Sequence, residues 1–298
     1  MAQDYPVDWV DAFTARPMGG NGCAVVHGAG ALLPETCMAF VRETSLVECA
    51  FLEASAVADA KVRIFLVSGE IPFAGHPTLA TAASLHGRGI LTGPRMRLET
   101  GAGVITVEVE EKAEGGGRPR FTMTQARPVF GPLYDAGEVA AIVGLGAGDI
   151  VGTPQLVSTG LGIVVTVVRS RDALRAATLD LGALRDHAAR RGVPDGAMLE
   201  PYLVALEGVE EGDTFARLLL EPPSPAEDPF TGSATGAAAA YLWHHGFLAR
   251  PRYVAEQGHD LGRPGRAWVE VLGPRSAPEA VRVAGEAHIL MSGTLHLR

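Results

Sequence analysis

Apolar and polar residues alternate over short runs along most of the chain, and the alternation predicts strands more often than helices. Strand-like runs fall at residues 9–13, 23–26, 62–67, 104–111, 121–124, 162–168, 202–206, 217–220, 268–272 and 281–283. Five stretches carry helical spacing or composition instead: 34–43, 76–86, 136–143, 183–191 and 235–245. The glycine-rich segment 113–119 reads as a hairpin loop between two strands. A break is expected near 126–132, where two prolines and a glycine follow that hairpin, which divides the chain into residues 1–128 and 129–298.

The pattern also repeats. Residues 73–89 (FAGHPTLATAASLHGRG) align without gaps on 230–246 (FTGSATGAAAAYLWHHG), with eight of seventeen positions identical. Chance similarity of alanine-rich helices explains the alanines but not the matched Phe-x-Gly starts at Phe73 and Phe230. Upstream, Arg63-Ile64-Phe65 matches Arg217-Leu218-Leu219, with a longer loop in the second copy. Each half therefore reads as strand, loop, glycine-containing turn, alanine-rich helix and terminal glycine, which predicts two homologous domains. Helices with small residues on every face need close neighbours all round. The expected fold class is α+β: two similar domains, each a curved, mostly antiparallel sheet wrapped around a central helix.

Composition adds limits. With 298 residues and 47% hydrophobic side chains there is ample material for two cores. A formal net charge of −9 and the lack of any basic run argue against nucleic acid as a partner. The three cysteines form no C-x-x-C pair, which disfavours a disulfide framework or a zinc site and suits a reducing cytoplasm. No signal peptide is expected at the N-terminus. The longest apolar segment, 156–168, is too short and too interrupted to cross a membrane.

Candidate chemistry collects at the two helix starts, Gly75-His76-Pro77-Thr78 and Gly232-Ser233-Ala234-Thr235. A helix N-terminus offers unpaired N–H groups and partial positive charge, which suit a carboxylate or phosphate. Two such ends on one cleft would hold a small anionic substrate; ordinary capping by Ser233 and Thr231 is the bland alternative. Asp228 and Glu70 precede the two helices, where an acid is often only a dipole partner. Glu48 is flanked by apolar residues. A carboxylate deprived of solvent holds its proton more tightly, and can take and return one near neutral pH; a paired structural carboxylate is the competing reading. Two glycine-spaced stretches, Gly144-x-Gly146-x-Gly148 and Gly160-x-Gly162, lie in the wrong order of strand and helix for a dinucleotide fingerprint. His244 and His245 are adjacent and point to different helix faces, so no metal site or cofactor is expected.

At these residues the sequence resembles the PhzF-like phenazine-biosynthesis isomerases of the diaminopimelate epimerase fold. The resemblance runs nearly the whole length. It includes Asp11-Ala12-Phe13-Thr14 with Arg16-Pro17 and Gly20-Asn21; Glu70; Ala74-Gly75-His76-Pro77-Thr78; Ser158-Thr159-Gly160; Glu227-Asp228-Pro229-Phe230-Thr231-Gly232-Ser233-Ala234; and Gln257-Gly258 with Gly262-Arg263-Pro264-Gly265. It implies a homodimeric isomerase without metal or organic cofactor. Glu48 would be its proton-shuttling glutamate, and His76, Asp228 and Ser233 its other site residues. Around Glu48, Ser45, Val47 and Cys49 stand where the family pattern N-x-S-E-T has other residues. Two rivals remain. A thiol-using racemase or epimerase would place cysteines at Ala74 and Thr231, leaving only Cys49 for a one-thiol variant. A non-catalytic carboxylate-binding module would bind without turnover.

Overall fold

The computed structural model describes residues 3–111, 118–191 and 200–297. By its internal contacts the chain forms two compact units. The first holds Met1–Thr124, Pro223–Pro225 and Ala284–Arg298; the second holds Gln125–Pro222 and Ala226–Val283.

Ten elements open the chain: β1 (Gln3–Ala12), β2 (Asn21–Val26), α1 (Pro34–Thr44), β3 (Cys49–Glu53), β4 (Ala60–Phe65), β5 (Glu70–Ile71), α2 (Gly75–Gly87), β6 (Arg95–Thr100), β7 (Gly103–Glu110) and β8 (Arg120–Gln125). Then follow β9 (Val129–Leu133), α3 (Ala136–Ile142), β10 (Ile150–Ser158), β11 (Gly162–Val168), α4 (Arg171–Ala176), α5 (Leu181–Arg191), β12 (Tyr202–Ala205), β13 (Thr214–Leu219), β14 (Glu227–Asp228), α6 (Gly232–His244), β15 (Arg252–Gln257), β16 (Gly265–Leu272) and β17 (Ala280–Leu297). The β7–β8 hairpin pairs Glu110 with Arg120, while most of its expected loop lies outside the described residues.

Strand pairing makes the repeat explicit. In the first unit β1·β2 is antiparallel, β2·β3 parallel, β3·β4 antiparallel, β4·β6 parallel and β6·β7 antiparallel. In the second, β10·β11, β11·β12, β12·β13, β13·β15 and β15·β16 follow the same sequence of directions. The parallel pairs arise because a helical connection intervenes: α1 before β3 and α2 before β6, α4 and α5 before β12 and α6 before β15. In the first unit β17 pairs with β1 from Gln3↔Leu297 to Ala12↔Ala287 and also with β8, so the ladder β17, β1, β2, β3, β4, β6, β7, β8 returns to its start as a barrel-like sheet. A single break near 126–132 did not anticipate this return of residues 284–297 to the first unit.

Helix α2 packs on β1, β2, β3 and β4, and every residue from 75 to 85 is buried. Helix α6 packs on β10, β11, β12 and β16, with residues 232–242 buried. Alanine at the packed positions lets strand and helix backbones approach closely, which is why neither helix has a polar face to show solvent. Thr78 and Thr235, identical in the repeat, each donate a hydroxyl hydrogen bond to the carbonyl four residues back, Ala74 O at 2.7 Å and Thr231 O at 2.9 Å. The apolar run 156–168 is the β10–β11 hairpin. Among the described residues no helix is long and apolar enough to cross a membrane.

Candidate active site

The approach to each helix is built alike. Arg63 on β4 donates from Nε and Nη2 to the two Glu70 oxygens at 3.2 and 3.0 Å. Arg217 on β13 does the same to Glu227, with Nε–Oε1 3.0 Å and Nη2–Oε2 2.7 Å. The third guanidinium nitrogen reaches a carbonyl, Leu32 O in one unit and Leu174 O in the other. Such forked pairs fix geometry as well as charge. Glu70 is thereby the partner of an arginine across a short hairpin, and its place ahead of α2 reflects that pairing rather than the helix dipole. The registers Ile64↔Ile71 and Leu218↔Asp228 set Asp228 where the first unit carries Ile71, so the two halves diverge in chemistry at this point.

At neither helix start does the N-cap side chain make a capping hydrogen bond: the N-cap residues are Ala74 for α2 and Thr231 for α6. Thr231 spends its hydroxyl on Asp228 Oδ2, at 2.5 Å, so the alternative of ordinary capping by Thr231 is not realised. Ala74 and Thr231 are also the two positions a thiol pair would occupy, and neither is cysteine.

In the first unit the structure brings Glu48, His76 and Asn21 together. His76 lies in the first turn of α2 and is buried. Its Nδ1 is 3.5 Å from Glu48 Oε2 and 3.0 Å from Asn21 Nδ2. Glu48 sits in the connection between α1 and β3, with its side chain 13% exposed, so it is shielded yet reachable. Helix α1 ends at Ser45, whose φ of 55° is left-handed, and this turn sends the chain through Leu46 and Val47 to Glu48. Asn21 opens β2 after a tight loop in which Asp11 Oδ2 accepts the Met18 N–H at 2.8 Å. Phe13, Met18 and Gly20 in that loop all have φ above +50°.

Cys49 follows Glu48 but points into the apolar cluster between the sheet and α1, beside Cys37 and Val41. It is fully buried, its Sγ is 3.6 Å from Thr44 Oγ1, and burial pushes the thiol up to about 12. Burial, with Cys49 and Glu48 nearby, drives Cys23 well above its ordinary value as well. A thiolate is the reactive form. A buried thiol held in its neutral form is a poor nucleophile and base, which argues against the one-thiol variant.

In the second unit Asp228, Thr231 and the α6 start are held by one buried side chain, Gln257. Its Nε2 donates to Asp228 O at 2.7 Å and to Thr231 Oγ1 at 3.2 Å. Its Oε1 accepts from Thr231 N–H and from the Tyr202 hydroxyl, both at 3.1 Å. Burial pushes the Tyr202 hydroxyl up, so it stays a donor. Gly258 follows with φ +84°, and a Cβ there would meet Arg263 O at 2.4 Å and Pro229 O at 2.5 Å. Gly232 O accepts from Gln125 Nε2 at 2.9 Å, and Thr159 donates to Gln125 Oε1 at 2.6 Å. The Gln257-Gly258 and Ser158-Thr159-Gly160 motifs are thus scaffolding for the α6 start. Gly232, Ser233 and Ala234 form its buried first turn.

Among the described residues one cluster, Glu210, Glu256 and His259, has the spacing of metal ligands. Both Glu256 oxygens, however, accept backbone N–H bonds from residues 209–212, which hold its carboxyl below the usual range against the effect of burial. The carboxylate is a loop anchor. Of the residues named from sequence, Glu48 and His76 meet in one unit, and Asp228, Gly232, Ser233 and Ala234 in the other. Asn21 and Gln257 had no assigned role beyond the motifs that contain them, and Thr231 was read only as a cap or as a thiol position.

Comparison with known proteins sets the class. The chain is 30% identical over 292 residues to the trans-2,3-dihydro-3-hydroxyanthranilate isomerase of Pseudomonas fluorescens, covering 97% of this chain and 98% of that protein. A solved structure of a predicted epimerase from Pseudomonas aeruginosa is similar with a TM-score of 0.81 at 31% identity, covering 98% of this chain and 99% of that one. A phenazine-biosynthesis PhzF-family protein from Bacillus anthracis shares the fold, with a TM-score of 0.82 at 24% identity over 98% and 99% of the two chains. The enzyme is an isomerase. Residues 10–293 match the model of the phenazine biosynthesis-like (PhzC-PhzF) family, and the chain belongs to that family.

Proposed function

We propose that this chain is a cofactor-independent isomerase that moves a proton on a small carboxylate-bearing substrate, with Glu48 as both acid and base. The observation that carries the reading is the Glu48–His76 pair at the uncapped start of α2, with Oε2 and Nδ1 3.5 Å apart. Glu48 removes a proton from one substrate carbon, the electron pair is taken up by the adjoining unsaturated system, and the same carboxyl group returns the proton to another carbon. Asn21 Nδ2 can only donate, so His76 Nδ1 accepts and the ring proton sits on Nε2. His76 is then a neutral donor towards the substrate rather than a competing base. Backbone N–H groups at Gly75 favour the substrate carboxylate. Asp228 and the Gly232, Ser233 and Ala234 turn take the parts the family resemblance gives them, exchangeable protons and carboxylate binding. The finer fold is of the diaminopimelate epimerase type, and the working form is a cytoplasmic homodimer in a biosynthetic route.

Glu48→Gln keeps the shape but cannot accept the proton, so turnover falls by roughly 10²–10⁴ while binding survives. Cys49→Ala stays active. The first probe is trans-2,3-dihydro-3-hydroxyanthranilate, assayed for turnover and for deuterium uptake from heavy water. Normal turnover by Glu48→Gln with a dead Cys49→Ala would reverse the assignment, and a wild type that binds without turnover or exchange would leave only a binding module.

A further inference from the structure

We propose that Asn21 is a positioning residue for this reaction: its amide N–H occupies the Nδ1 lone pair of His76, fixing the Nε2–H tautomer and withholding that nitrogen from the proton Glu48 carries. The inference rests on the acid–base reading of Glu48 for its purpose, but not for its structural content.

The argument begins with one nitrogen and two neighbours. His76 Nδ1 lies 3.0 Å from Asn21 Nδ2 and 3.5 Å from Glu48 Oε2. An imidazole nitrogen offers one lone pair or one proton, never both. Left to itself, an imidazole with an ordinary pKa of about 6.5 outcompetes a carboxylate of about 4.3 for a proton by roughly a hundredfold. A basic Nδ1 this close to Glu48 would drain the proton that has just left the substrate. With the lone pair engaged by Asn21, the proton stays on Glu48 and is available for return.

The scaffold behind Asn21 is stiff, as a positioning role requires. Asn21 is buried and paired with Ala12 in the β1·β2 ladder. Gly20, just before it, has φ +53°, and a Cβ there would meet Ala12 O at 2.0 Å. Phe13 and Met18 adopt left-handed backbone in the loop that delivers it, at φ 63° and 62°. Backbone strain of this kind persists where surrounding structure enforces it, and it gathers at functional sites.

The opposite amide orientation, with Asn21 Oδ1 towards the ring, requires the proton on Nδ1, so the tautomer decides the matter. Protein labelled with ¹⁵N in its imidazole rings is examined by long-range proton–nitrogen correlation near pH 7.5, and His76 is assigned by its loss in His76→Gln. The expected wild-type pattern has Nδ1 unprotonated and Nε2 protonated. Asn21→Asp offers only acceptors and moves the ring proton to Nδ1; Asn21→Leu leaves the ring exchanging between tautomers. A wild-type ring protonated at Nδ1, or an Asn21→Asp ring unchanged from wild type, overturns the proposal. The wild-type spectrum decides alone if a variant fails to fold. Turnover plays no part in this readout. An active Glu48→Gln enzyme would therefore remove the acid–base reading while the tautomer lock stood, and the reverse pattern would remove only the lock.

Discussion

Replacing Asp8 with asparagine should cost the first unit about 2.5 kcal/mol at pH 7, and the cost should vanish in acid. Asp8 is fully buried on β1. It accepts from Arg88 Nε at 2.6 Å, Arg88 Nη2 at 2.8 Å, Ser84 Oγ at 2.6 Å and Ser292 Oγ at 2.6 Å. Burial alone would raise its pKa, but the hydrogen bonds from Arg88, Ser292 and Ser84 and the Arg88 charge outweigh it and bring the group from 3.8 down to about 2. A folded pKa below the unfolded one means stability that is fully present above about 3.8 and lost as pH falls through about 2. The difference of just under two units is worth about 2.5 kcal/mol at 1.36 kcal/mol per unit. The amide in Asp8→Asn would resemble a permanently neutral Asp8. For a urea slope of about 2.5 kcal/mol/M, the midpoint of the first unit's transition drops by about 1 M. Urea melts of both proteins from pH 2 to 7, followed by tryptophan fluorescence (Trp9 lies on β1), give the two curves. They should converge near pH 2. A gap that is negligible at neutral pH, or that stays constant across the series, refutes the assignment of Asp8 as an ionised anchor of α2.

Two further predictions follow from the surroundings of Glu48. Ser45 ends α1 in left-handed backbone, which costs a non-glycine residue about 1 kcal/mol or more, so Ser45→Gly should raise the unfolding free energy, measured in urea melts, by about 0.5–1 kcal/mol; a lower free energy would contradict the cap geometry. All three thiols are buried, with Cys49 pushed up to about 12 and Cys37 to about 11 by burial, so an aromatic disulfide reagent at pH 7 should label none in the native protein and all in denaturant; rapid native labelling at Cys49 would return it to candidacy as a reactive group.

What the sequence made legible is mostly what it says twice. Arg63 and Arg217, Thr78 and Thr235, and the glycines at the helix starts mark the same local devices in both units, and alanine-rich composition sufficed to foretell helices buried all round. Strand β3, buried from Cys49 to Leu52, escaped because Glu48 drew the reading of that apolar stretch towards chemistry rather than structure. In β10, Gly152 and Pro154 read as punctuation, whereas the ladder absorbs them as an irregularity between Val151 and Gln155. Only residues 281–283 of β17 were visible, since Gly285, Ser292 and Gly293 break its apolar pattern and its order comes from pairing with β1. Glu48 stood out as a charge in an apolar setting. Asn21 did not, because an asparagine after glycine looks like any turn, and its meaning depends on a histidine 55 residues away.

The strand that closes the first barrel has a consequence for the order of assembly. Strands β1 and β8 form early in the chain, yet the partner both require is β17, more than 150 residues beyond β8. During synthesis the first unit therefore waits with two open edges until the second has been made, and unpaired edges invite pairing with other chains. Contacts this distant in sequence also form slowly, because a long loop must be closed before any of them stabilises the ring. The strand that completes the first unit leaves the ribosome only after the residues of the second.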